Sequence, residues 1–184
     1  MDLTEDEFAE TLHSFTHTAF RLELQPAYAE PSERDTLAKF AAGEPEPPTE
    51  VPILRHWYER VRAHTQQGKS VSRVRVHEDP PTDYQVWERW IGAWNVEAGE
   101  TIRYMTRQHA FEIGLLPAAG DRDWWLLDST RLIVMYFDES GVRYRNTLVT
   151  EPAAISQACA WRDLAVRNSA PDKNRDASPS ARSS

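Results

Sequence analysis

The sequence predicts a mixed α/β fold of the α+β kind, with helices packed on a central mixed sheet, and two patterns carry that prediction. Residues 71–105 read as strand, helix, strand, a βαβ unit. Residues 124–149 read as three β-rich runs separated by the turn-forming DSTR and DESG, a C-terminal antiparallel three-stranded meander. Size is the third observation: 184 residues, 40% of them hydrophobic, suffice for one globular domain over 1–168. A chain of that length removes roughly 70% of its unfolded surface from water on folding.

The elements follow in order. Residues 3–14 form a short helix, with Thr4 and Glu7 at capping-box spacing and Phe8, Leu12 and Phe15 on one face. Ala19–Leu24 alternates, with Phe20, Leu22 and Leu24 on one side and Arg21 and Glu23 on the other, the signature of a half-buried strand. Ser32–Ala42 is a second helix, stopped by Gly43, and the proline-rich Gly43–Pro52 connects it to a third at Ile53–Gln67. The face of that third helix is Ile53, Leu54, Trp57, Tyr58 and Val61.

The strand Val71–His77 places Val74 and Val76 on its buried side and projects Arg73 and Arg75 together from the other. Pro80 and Pro81 close it. Thr82 or Asp83 then caps a helix to Ala98 with an arc of Tyr84, Trp87, Trp90, Ile91, Trp94 and Ala98. Thr101–Met105 is the next strand. After the meander, Thr150 caps a last helix with Pro152 in its first turn and Ile155, Ala158, Trp161 and Ala165 on its apolar face. Residues 169–184 carry no apolar side chain larger than alanine, the composition of a disordered tail.

The formal net charge of −8 repels polyanions, so direct nucleic-acid binding is disfavoured. No apolar run reaches the ~18 residues of a membrane span, and the acidic N-terminus lacks the basic and apolar regions of a signal peptide. A single cysteine, Cys159, excludes an internal disulfide and a thiolate metal cluster. A cytoplasmic protein without membrane attachment is expected.

Three constellations could carry chemistry. Glu10, His13 and His17 have spacings that could set three metal ligands on one helical face, against the plainer reading of a solvated surface. His77, Glu78 and Asp79 sit at the C-terminal end of a strand, where α/β proteins place sites, yet neighbours on an extended chain point opposite ways. Arg73 and Arg75 could clamp a phosphate or carboxylate at the start of the Tyr84–Ala98 helix. Alternatively they pair with Glu23 on a neighbouring strand or Glu88 on the following helix, because a buried charge without a partner is costly. The tryptophans could form an aromatic cage or stacking platform, or simply core. Walker A, G-x-G-x-x-G, H-E-x-x-H and G-x-S-x-G motifs are absent, and no cofactor site is expected.

The stretches HTAFRLELQPAY (17–28), RVRVHEDPPTDYQVWE (73–88), VEAGETIRYMTR (96–107) and DWWLLDSTRLIVMYFDESG (123–141) together resemble an actinobacterial family of domains of unknown function. Its members are commonly encoded beside helix-turn-helix regulators of the Xre type. The resemblance covers roughly residues 8–168 and matches at Arg21, Glu23, Arg73, Arg75, Tyr84, Glu88 and Glu100. It departs at Gln25 and Pro26, where the family pattern carries an acidic residue before the tyrosine. The second half is also similar in layout to phospholipase D-like effector domains. The enzymes of that superfamily use an H-x-K-x-x-x-x-D motif, and no histidine here has lysine two positions later.

The resemblance implies a non-enzymatic regulatory or accessory protein with a helix-turn-helix partner, acting by protein contact or small-ligand sensing. Arg21, Glu23, Arg73, Arg75, Tyr84 and Glu88 are expected to form either its ligand-binding site, for a small anion at the N-terminus of the Tyr84–Ala98 helix, or a structural ion-pair cluster. The rival expectation is a hydrolase or phosphodiesterase-like enzyme using His77, Glu78 and Asp79 or the Glu10-His13-His17 set.

Overall fold

A computed structural model describes residues 1–172. Its elements are β1 (Asp2–Leu3), α1 (Glu5–His13), β2 (Thr18–Glu23), α2 (Arg34–Ala41), α3 (Pro52–Gln66), β3 (Ser70–His77) and α4 (Asp83–Glu97). There follow β4 (Thr101–Thr106), α5 (Arg107–Glu112), β5 (Trp124–Leu127), β6 (Arg131–Phe137), β7 (Arg143–Val149) and α6 (Pro152–Arg167). The strands form one sheet in the order β1-β7-β6-β5-β2-β3-β4. β2, β3 and β4 run parallel, and β5 joins them antiparallel against β2. The mixed sheet, the βαβ unit and the meander are as the sequence predicts.

Local chemistry explains the boundaries. Thr4 and Thr82 each close a capping box, Thr4 with Glu7 and Thr82 with Gln85, so α1 and α4 start where a side chain satisfies the free N–H groups. α6 differs from expectation at its start: Glu151, not Thr150, holds the N-cap position, and no side chain caps it. Pro152 in the first turn needs no partner for a missing N–H, so the helix tolerates the uncapped start. The short helix α5 had no periodic signal long enough to predict.

The meander is tied to β2 by one residue. Asp128, at φ 51° in the β5–β6 turn, accepts hydrogen bonds from the backbone N–H groups of Thr16 (2.8 Å), His17 (2.7 Å) and Thr18 (2.9 Å). Burial would raise its carboxyl, but the N–H groups of Thr18, Thr16 and His17 more than offset that and lower it to about 2.

Both faces of the sheet are covered. One carries Phe20, Leu22, Leu24, Val74, Val76, Trp124 and Leu126 beneath α5 and α6, with Cys159 packed at its margin. On the other, Phe8 and Leu12 of α1 pack on Trp125, Leu127 and Ile133, while α3 and α4 meet through Leu54, Tyr58, Val61, Trp87 and Ile91. Trp87 is core as expected, whereas Ile53 is half exposed at the margin of its helix.

The first residues of the expected tail are held against the sheet. Ser169 is buried, and Ala170 exchanges both backbone hydrogen bonds with Tyr104 on the β4 edge. Residues 173–184 of that tail lie outside the described residues. Among the described residues, no helix is long and apolar enough to cross a membrane.

Candidate functional site

The alternation of β2 and β3 sends Arg21, Glu23, Arg73, Arg75 and His77 to the face under α3 and α4. Parallel pairing sets Arg21 beside Arg73 and Glu23 beside Arg75. Two arginines side by side would repel, so the carboxylates must sit between them. Glu23 Oε1 lies 3.1 Å from Arg21 Nη1 and 3.0 Å from Arg73 Nη1, and its Oε2 accepts from Arg75 Nε at 2.7 Å.

Each arginine has a second carboxylate. Arg73 Nε donates to Glu100, which also accepts from Asn95 Nδ2 (2.6 Å) and Trp57 Nε1 (3.3 Å). Arg75 Nε lies 3.2 Å from Glu88 Oε1, and its Nη1 donates to the Glu88 carbonyl at 3.0 Å. Arg21 Nη2 donates to Asp123 Oδ2 at 2.9 Å. Asp123 also accepts from the Tyr28 hydroxyl (2.6 Å) and the Leu24 N–H (2.8 Å).

Gly92 lets α4 come this close. A Cβ there would stand 3.0 Å from the Tyr104 hydroxyl and 3.2 Å from Arg75 Nη1.

These groups are withdrawn from water: Glu23, Arg73, Arg75, Glu88, Glu100 and Asp123 are all 6% exposed or less. Burial by itself would raise the Glu23 carboxyl, but the guanidiniums of Arg21, Arg73 and Arg75 overcome it and hold it well below the usual range. Among the described residues Asp123 has one cation in reach, Arg21, and there burial wins and raises its carboxyl.

Above the network lies a cleft of about 670 Å³, within the range of small-molecule sites. Its floor includes Arg21, Glu23, Arg73, Arg75 and Glu88, and Tyr28, Trp57, Tyr58, Tyr84, Trp125 and Phe137 contribute aromatic walls. The guanidinium of Arg73 sits 5.6 Å from the Trp57 ring centroid, and that of Arg21 5.4 Å from Tyr28. Glu33 stands in the wall, and its Oε2 accepts from the Tyr84 hydroxyl at 2.7 Å. Burial raises this carboxyl to about 7, against the hydrogen bond from Tyr84.

The six residues expected from the sequence thus come together. Arg21, Glu23, Arg73, Arg75 and Glu88 are linked directly, and Tyr84 lines the same cleft with its hydroxyl bonded to Glu33. The other two sets do not converge. His77 turns inward, with Nε2 3.3 Å from Glu88 Oε2; Glu78 turns to Arg107; Asp79 is exposed. His13 stacks toward His64 at 6.3 Å between ring centroids. Burial, with Arg60, His64 and His56 nearby, lowers His13 to about 4. His17 and Glu10 are exposed, and among the described residues no three His, Cys, Asp or Glu side chains are placed to hold a metal ion.

Asp123, Asn95 and Glu33 were missed. Asp123 was legible in principle: it precedes β5 by one residue, and alternation from Trp125 puts it on the Arg21 side. Glu33 and Asn95 carry no such signal, since only the packing of their helices brings them in.

Two solved structures share the fold. One is Nuc from Salmonella typhimurium, a phospholipase D family member, with a TM-score of 0.51 and 9% identity over 89% of this chain and 86% of that one. The other is NucT from Helicobacter pylori, with a TM-score of 0.50 and 6% identity over 91% of this chain and 89% of that one. At such identity the likeness is one of fold. No curated protein matches the sequence. The family model for a domain of unknown function, DUF6879, matches residues 6–174, from α1 through the segment beyond α6, and the chain belongs to that family.

Proposed function

We propose that this protein is a non-enzymatic regulatory or accessory domain on a phospholipase D-like scaffold, binding a small molecule in the cleft under α3 and α4. It would pass the bound state to a helix-turn-helix DNA-binding partner, the kind of partner that the sequence resemblance implies. The observation that carries this reading is the cleft itself. An apolar floor of the same volume would stabilise the fold at lower cost than seven interlinked charged side chains, because buried ion pairs seldom repay their desolvation. A floor that forgoes that stability beneath an aromatic-walled opening of about 670 Å³ is arranged for recognition.

The expectation of an anionic ligand changes with the geometry. Arg21, Arg73 and Arg75 are already matched by Glu23, Glu88, Glu100 and Asp123, so the floor offers three positive charges against four negative ones. An anion finds no spare counter-charge there.

The rival reading, a hydrolase or phosphodiesterase-like enzyme, draws on the fold shared with Nuc and on the buried His77–Glu88 pair. Against it, the H-x-K-x-x-x-x-D motif is absent.

Native mass spectrometry of the protein isolated from its own cells tests the reading. Added mass from a small molecule or a small DNA-binding protein is the expected result. A bare chain that turns over bis(4-nitrophenyl) phosphate, with the turnover abolished by His77→Ala, would overturn it in favour of the enzyme.

A further inference from the structure

Resting on the cleft as a binding site, we propose that its ligand is an organic cation, a protonated amine carried on a flat apolar body, with Glu33 as its counter-ion.

Charge is the first argument. The floor is already one negative charge in surplus, and its carboxylates are engaged by the arginines. The wall adds Glu30 and Glu33, neither of which has a cation within ion-pair distance among the described residues. The cations elsewhere in the lining do not remove the surplus. Arg143 pairs with Glu5 at 2.6 Å and lies over the Phe8 ring at 4.3 Å; Arg60 Nε donates to the neutral His56 Nε2 at 2.8 Å and keeps its charge, which offsets only one of the carboxylates in surplus. A cation entering the cleft neutralises the surplus, whereas an anion adds to it.

The walls supply the second argument. Tyr28, Tyr84 and Phe137 form a contiguous edge-to-face group, with Tyr28 5.5 Å from Tyr84 and 5.3 Å from Phe137. Such surfaces bind flat rings and attract ammonium groups through the negative faces of the rings.

The third argument is an unmet polar group. Tyr58 is 3% exposed, lines the cleft and has a hydroxyl without a hydrogen-bond partner. A buried hydroxyl left unpaired is costly, and a ligand N–H or ring nitrogen would satisfy it.

Three probes sharing one ring test this by isothermal titration at pH 8, where Glu33 is ionised: tryptamine, indole-3-acetate and indole-3-ethanol. Tryptamine should bind at least tenfold more tightly than indole-3-acetate, with the neutral alcohol between them. Glu33→Gln, which keeps an acceptor for Tyr84, should reduce that preference at least fivefold, and Tyr58→Phe should weaken tryptamine less. If indole-3-acetate binds as tightly as tryptamine or more so, the cation inference falls while the cleft remains a binding site. If none of the three binds at millimolar concentration, both fall.

Discussion

The two faces of the sheet are made from the same strands and obey different physics. In β2 and β3, Leu22, Val74 and Val76 face α5 and α6, and Arg21, Glu23, Arg73 and Arg75 face α3 and α4. Both sets are deeply buried: Leu22 and Val74 are fully covered, while Arg75 and Glu23 are 3% and 4% exposed. The first face is held by apolar surface removed from water, which is non-directional and tolerates modest repacking. The second is held by pairing, which is directional and fails sharply when one member is lost. A strand with alternating polar and apolar residues is therefore not always half exposed; its polar side can be an ionic core.

Removing the hub of the ionic face is the sharpest way to break that comparison. Glu23→Ala leaves three guanidiniums with one carboxylate fewer between them. It should cost about 3–5 kcal/mol or more in urea unfolding, a large share of the roughly 5–15 kcal/mol that holds an ordinary domain folded. The matching cut on the apolar face, Leu22→Ala, should cost about 2–4 kcal/mol and leave probe binding in the cleft unchanged. If Glu23→Ala proves the milder of the two, the ionic face is not what holds β2 to β3.

A smaller effect is expected at Asp128, which belongs to neither face. Asp128→Ala should cost about 2 kcal/mol, because three backbone N–H groups lose a charged acceptor. Its folded pKa lies below the unfolded value. The stability it contributes is therefore complete above pH 4 and lost as pH falls through about 2, as acid unfolding of the wild type against Asp128→Asn would show.

Glu33 runs the opposite way. Its carboxyl is raised to about 7, so the folded state holds its proton more tightly than the unfolded chain, and stability declines as pH rises from about 4.5 through 7. Glu33→Gln should be more stable than wild type at pH 8, by on the order of 1 kcal/mol after allowing for its partial exposure, and indistinguishable at pH 4.5. A melting-temperature series across that range measures both ends. The smallest effect belongs to the surface pair Lys39–Glu46, where Lys39→Met should change stability by less than about 0.5 kcal/mol.

Much of this was legible before the structure. Period-2 alternation alone sent Arg73 and Arg75 to one side of β3, and the same rule placed Arg21 and Glu23 on one side of β2. The capping-box spacing at Thr4 and the cap at Thr82 or Asp83 set two helix starts to within two residues. α5 was not legible, since six residues are too few to show a period. The hold on Ala170 was not legible either, because backbone hydrogen bonds leave no mark in composition.

Residues close along the chain, or related by its alternation, were determined by the sequence itself: which side chains share a face and where helices begin. Tertiary structure decided whether the polar face of β2 and β3 would meet water or protein. That choice depends on α3 and α4 crossing it, on Gly92 letting α4 approach Arg75, and on Asp123 and Glu33 arriving from distant parts of the chain. Burial converts a charge from an ordinary surface group into one that must find a partner, and only the packed chain determines which charges are buried.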